Sequence, residues 1–144
     1  MRASVFLANF AKVSDGMIDA LGVGWTHTGP GPVSFFVAGI VSCDWHELNR
    51  RHELKAELID ADGLAVPHPE NGNPILAAAQ WEVGRPPGTK EGSSLNFPFA
   101  IPFGPFQLEP GEQYVVAVSF DGDARDEWRL PFTVRDAPEQ QLAA

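Results

Sequence analysis

Apolar and polar side chains alternate with a period of two along most of this chain, the pattern of strands that bury one face. Leu95, Phe97, Phe99, Ile101 and Phe103 alternate with Asn96, Pro98, Ala100, Pro102 and Gly104. Tyr114, Val116, Val118 and Phe120 form a second row, and Trp128, Leu130, Phe132 and Val134 a third. Leu54, Ala56 and Leu58 face away from Glu53, Lys55 and Glu57, while Ala79, Trp81 and Val83 alternate with Gln80 and Glu82. Residues 3–9, 17–25 and 33–41 are apolar on both faces in places, as in strands covered on both sides or strands that present a partner surface.

Gly, Pro, Asn and Asp separate these runs at short intervals, with no room for the crossover helices of βαβ units. The expected fold is therefore all-β, a two-sheet antiparallel sandwich of immunoglobulin-like type. A domain spanning residues 1–135 and a frayed tail at 136–144 are expected, since the tail lacks apolar alternation. One short connecting helix is expected near residues 44–51, two turns at most, with Ser42 or Asp44 as its N-cap and an acidic start matched to a basic end.

Local chemistry adds detail. Pro98 and Pro102 sit four apart in one strand, so their missing N–H groups fall on the same side and mark a sheet edge closed to further pairing. Asp60-Ala61-Asp62-Gly63 ends a strand, and Asp121-Gly122 opens a hairpin in which Gly122 takes positive φ. Tyr114 follows Leu108-Glu109-Pro110-Gly111 into its strand. Such a tyrosine can return its hydroxyl to the upstream backbone, as at the tyrosine corner of immunoglobulin-like sandwiches.

The chain has 144 residues, 44% hydrophobic and 20% charged, enough to build a core without covalent staples. Its formal net charge of −9 opposes binding to nucleic acid and to anionic lipid. Cys43 is the one cysteine, which excludes an intrachain disulfide and fits a reducing compartment. No apolar run approaches the ~20 residues of a membrane helix, and Lys12 and Asp15 interrupt the first apolar stretch before a signal sequence develops. A soluble, cytoplasmic protein is the expectation.

Catalytic patterns are scarce. No Gly-x-Ser-x-Gly elbow occurs, and Gly22-Val23-Gly24 lies within a strand pattern rather than between strand and helix. No catalytic residue and no cofactor is assigned. Cys43, His46 and His52 supply metal-ligand types close together, but their directions diverge, and solvent-exposed histidines around a connector are the favoured reading. The aspartates at 60, 62, 121, 123 and 126 could crowd at strand ends as in calcium-binding sandwiches, yet turns favour aspartate for its local hydrogen bonds. Trp25 and His27, beside a proline-stiffened loop, are candidate contact residues, with Trp45 a third; the plainer reading of Trp25 is that it closes an end of the core, and Trp45 faces the same choice.

Met1-Arg2-Ala3-Ser4-Val5-Phe6-Leu7-Ala8, Gly24-Trp25-Thr26, Asn49-Arg50-Arg51-His52 and Leu58-Ile59-Asp60-Ala61-Asp62-Gly63 together resemble a family of small bacterial proteins known only as a domain of unknown function. Gly84-Arg85-Pro86-Pro87-Gly88 and Trp128-Arg129-Leu130-Pro131-Phe132-Thr133-Val134 extend the resemblance over nearly the whole chain. It implies no catalytic residue and no ligand.

The leading expectation is a non-enzymatic protein-binding or assembly module whose partner is another protein or a second copy in a homodimer. The alternative is a metal-binding protein or metal-dependent enzyme built on Cys43, His46 and His52 or on the aspartate turns. A small-ligand carrier, with a pocket between the sheets, is a third option, set against a core that ten phenylalanines would fill.

Overall fold

The computed structural model describes residues 1–136. The tail expected at 136–144 therefore lies, after Asp136, outside the described residues. Nine strands form: β1 (Arg2–Ser14), β2 (Met17–Val23), β3 (His27–Thr28), β4 (Val33–Cys43), β5 (Arg51–Asp60), β6 (Leu76–Glu82), β7 (Leu95–Phe106), β8 (Gln113–Phe120) and β9 (Asp123–Val134). They build two sheets, one ordered β2-β1-β4-β7 and the other β3-β9-β8-β5-β6. This is an all-β sandwich with immunoglobulin-like connectivity, in which β1, β4 and β7 take the places of strands A, B and E, and β5, β8 and β9 those of C, F and G.

The alternating rows meet between the sheets. Leu54, Ala56 and Leu58 of β5 are buried, with Tyr114, Val116, Val118 and Phe120 of β8 and Trp128, Phe132 and Val134 of β9. Facing them, β4 contributes Phe35, Val37 and Val41, and β7 Phe99 and Phe103. The aromatic rings fill this space against one another: Phe35 stacks on Phe103 at 5.5 Å, and Phe120 meets Trp128 edge-on at 4.8 Å. The Trp128 indole N–H reaches across to donate to the Ala3 carbonyl at 3.1 Å, tying β9 to β1.

Turn chemistry appears where the residue types ask for it. Asp121 and Gly122 both have positive φ, +51° and +80°, the type I′ geometry that suits a two-residue hairpin loop. The Glu109 backbone N–H donates to the Tyr114 hydroxyl at 3.0 Å, forming the tyrosine corner. Leu95–Phe106 is an edge strand, paired only with β4, and its Pro98 and Pro102 stand opposite Ile40 and Phe36.

Two features differ from the sequence-based reading. The connecting helix shrinks to a single 3₁₀ turn, Trp45–Glu47, because Leu48 is extended and buried in the core and Asn49 takes a left-handed φ of +58°. The first hairpin also leaves the plane of its sheet. Along β1 the buried positions shift from Leu7 and Ala8 to Ala11, and the far half of the hairpin folds over the outer face of its own sheet. There Ala8, Ala11 and Ala38 are buried with Phe6, Ile18, Ala20, Phe36 and Ala100 around them, a second apolar cluster outside the sandwich core. Small residues at the three central positions let the layers approach closely. At Gly22, with φ +64°, a side chain would strike Asn9.

Close approach also governs Gly39 in the middle of β4. A methyl group there would collide with the Ser4 carbonyl oxygen of β1 and the Phe99 ring of β7. Gly39→Ala is expected to destabilise the fold by about 1–3 kcal/mol through overpacking, read as a lower urea midpoint. An unchanged midpoint would show that β1 and β4 are farther apart than described.

Candidate functional site

The candidate residues divide between the two ends of the sandwich. Phe35, near the start of β4, meets Trp25 edge-on at 5.6 Å, and Phe132 meets the same indole at 5.7 Å. Trp25 thus lies over one end of the core. His27, in the two-residue β3, is exposed and contacts the Thr26 hydroxyl at 3.0 Å. Trp45 follows the far end of β4, a strand of 11 residues, and so roughly 30 Å away at about 3.3 Å per residue. Its ring packs partly against the core beneath Arg85, whose guanidinium lies 4.0 Å from the ring centre and donates to the Trp45 carbonyl. The three contact candidates do not share a surface.

Cys43, His46 and His52 occupy the Trp45 end with three different surroundings. The Cys43 thiol is fully buried, and burial, with Glu47 nearby, pushes its pKa up to about 11. His46 is exposed, as expected of a histidine on a connector. His52 is not: it is buried, and both ring nitrogens are engaged, Nδ1 with Asp121 Oδ2 at 2.6 Å and Nε2 with the Glu47 carbonyl at 2.7 Å. Among the described residues no three His, Cys, Asp or Glu side chains come together as a metal-holding group.

The aspartate turns are likewise separated. Asp60 pairs in register with Tyr114 at the start of β8, whereas Asp121 follows Phe120 at its end. Each serves its own turn. Asp60 Oδ1 accepts from the N–H groups of Asp62 and Leu64, and Asp121 Oδ1 accepts from Glu53 N–H.

Because the two partners of His52 are both acceptors, both ring nitrogens are satisfied only as N–H, in the charged imidazolium. Burial opposes that charge, but the hydrogen bonds to the Glu47 carbonyl and Asp121, with the charges of both residues, outweigh it and raise the pKa above 6.5. Asp121 is shifted the other way. Burial raises its pKa, yet the Glu53 N–H and the His52 hydrogen bond and charge together take it below 3.8. The His52 ring also rests against Trp81, 4.7 Å between centroids, so this pair links the β8–β9 turn, the 3₁₀ turn and β6.

The strongest surface feature escaped sequence reasoning about individual residues. Seven large apolar side chains are exposed among the described residues, and five of them, Phe10, Val13, Met17, Leu21 and Val23, belong to the β1–β2 hairpin. Pairing sets Phe10 beside Leu21, Ala8 beside Val23 and Ser14 beside Met17; Met17, Leu21 and Val23 are at least half exposed, while Phe10, 45% exposed, also touches Phe36 of the sheet. Leu21 is 68% exposed and Met17 63%. The one available signal was that residues 17–25 are apolar on both faces.

A second feature is the seam where the sheets end side by side. There β6 and β7 are both edge strands. Trp81 of β6 stacks on Phe97 of β7 at 4.5 Å and closes the seam near the end of β6, while a cavity of about 160 Å³ opens toward its start between Ile75, Ala77 and Phe103.

A family model described as a family of unknown function (DUF6941) matches residues 3–135. No curated protein and no solved structure matches the chain.

The His52–Asp121 pair has a testable pH signature. A histidine whose folded pKa is raised gives stability that is whole below about 6.5 and is lost as pH rises through the folded value; an aspartate whose folded pKa is lowered gives stability that is whole above about 3.8 and is lost on acidification. The melting temperature should therefore fall as pH rises above about 6.5, and Asp121→Asn should flatten that limb. A melting temperature that is constant over this range in the wild type would contradict the charged pair.

Proposed function

We propose that this chain, which belongs to the family of unknown function DUF6941, is a non-enzymatic protein-binding module that meets its partner through the outer face of the β1–β2 hairpin. The observation that carries this reading is the concentration of exposed apolar side chains on one hairpin. Monomeric proteins scatter such residues singly, and a contiguous patch rimmed by polar groups is the usual mark of an interaction surface. Here Phe10, Leu21 and Val23 lie together, with Met17 farther along the same face and Lys12 opposite Asp19 between them.

The hairpin is also firmly held beneath this patch. Ala11, Ile18 and Ala20 anchor its underside on Ala38 and Phe36, so its exposed face is preorganised rather than a loose arm. An aromatic contact at 5.4 Å between Phe10 and Phe36 connects the patch to the sheet. A phenylalanine held beside flexible Met and Leu side chains makes a chemically suitable anchor for an apolar segment of another protein.

Leu21→Asp tests this reading, because Leu21 is exposed and its replacement should leave the melting temperature within a degree or two. Quantitative affinity capture with wild-type bait should recover a defined protein whose yield falls at least tenfold with Leu21→Asp bait. Equal recovery by the two baits, or recovery of nothing specific by the wild type, would remove the proposal.

A further inference from the structure

The two sheets have four outer strands among the described residues, and the protection given to them is uneven. An open edge exposes backbone N–H and C=O groups that can pair with another chain, and proteins blunt such edges with proline, charge, distortion or brevity. β7 carries Pro98 and Pro102, which have no N–H to offer a neighbour. β3 is two residues long. β2 contains Asp19 and the left-handed Gly22, and its hairpin folds out of the sheet toward β7. Only β6, Leu76-Ala77-Ala78-Ala79-Gln80-Trp81-Glu82, has seven residues in regular pairing with one neighbour and neither proline nor lysine.

We infer that β6 pairs antiparallel with β6 of a second copy, about a two-fold axis at Ala79, joining two five-stranded sheets into one of ten strands. This surface is distinct from the hairpin face and the inference stands independently of the function proposed for that face. Three observations single out a second copy as the occupant.

The first is size complementarity. With Ala79 on the axis, Ala77 of each copy stands opposite Trp81 of the other, a small residue against a large one on the inner face. Ala79 faces inward yet is exposed, and the hairpin tip, through Val13 and Gly16, comes beside the strand only at its Glu82 end. The second is charge. Two chains of net charge −9 repel at a distance, so a stable contact needs a neutral centre, and residues 76–81 carry no charge. The third is the arrangement of charges on either side. Pairing within each copy sets Arg51 beside Glu82, Glu53 beside Gln80, Lys55 beside Ala78 and Glu57 beside Leu76. Across the axis, the row containing Arg51 and Glu82 continues into Leu76 and Glu57 of the second copy. The row containing Glu53 and Gln80 continues into Ala78 and Lys55. Both of these outward rows then mix signs, with no two like charges directly opposed across the new strand pair, which is the condition cross-strand energetics favour. A two-fold axis also closes the assembly at two copies, because each β6 edge is consumed.

The test uses the whole chain. Light scattering after size exclusion at about 100 μM should give twice the mass of one chain, and Ala79→Lys, which adds an inward charge at the free edge, should return it to one while the circular dichroism spectrum is unchanged. Opposed Cβ atoms across an antiparallel pair lie about 4.5–5.5 Å apart, close to the reach of a disulfide, and Cys43 is buried and does not compete. Under mild oxidation Ala79→Cys should form a covalent dimer at least tenfold faster than Met17→Cys on the hairpin. A mixture of Leu76→Cys and Glu82→Cys chains should give the mixed dimer in preference to either self-linked one. A wild type that stays at the mass of one chain, a dimer that survives Ala79→Lys in a folded protein, or Ala79→Cys linking no faster than Met17→Cys would overturn the inference.

Discussion

A sandwich buries the inner faces of its two sheets but leaves each sheet with outer strands whose backbone groups have no neighbour, and this constraint organises much of the molecule. The hydrophobic gain comes from the interior, where aromatic and aliphatic rows from β4, β5, β7, β8 and β9 meet. That gain is blind to what happens at the rims. Each rim is treated by its own local means: two prolines on β7, extreme shortness in β3, a hairpin bent out of plane at β2. Against that treatment the plain alanine-rich edge of β6 is the exception, and exceptions of this kind are where assembly is expected to occur.

The bent hairpin accounts for two facts at once. Strands β1 and β4 carry apolar residues on both faces because one face builds the core while the other is covered by the hairpin, around Ala8, Ala11 and Ala38. Covering that outer face turns the remaining apolar residues of the hairpin outward, so Leu21, Met17 and Phe10 become solvent-exposed. A fold that spends part of its apolar surface on a second small cluster thus also creates a preorganised apolar patch. In the other sheet, the His52–Asp121 pair ties a turn to the β5–β6 pair through Trp81, giving the rim near β6 a charged anchor in place of further apolar packing.

Much of this was legible in the residue order because it is local. Period-two rows at 114–120 and 128–134, the Asp121-Gly122 turn, the tyrosine corner at Tyr114 and the proline-marked edge at Pro98 and Pro102 each depend on a few neighbouring residues and follow from sterics and donor counting. What could not be read depends on pairing between distant segments. His52 belongs to a connector by sequence, yet it is buried because Asp121, 69 residues away, closes over it. Trp25 and Trp45 look like equivalent aromatic candidates, and only the length and course of β4 place them at opposite ends. The edge status of β6 is likewise invisible until β5 is known to lie on one side and nothing on the other.

The most direct check on the unequal treatment of these edges is amide hydrogen exchange across β6 as a function of protein concentration. In an antiparallel edge strand, alternate amides point away from the sheet and exchange freely unless another strand arrives. Those of β6 should become strongly protected at high concentration and lose that protection on dilution, while β7 shows no such change. Uniformly rapid exchange of the same amides at every concentration would mean that the unguarded edge has no partner strand, and the account would fail at its centre.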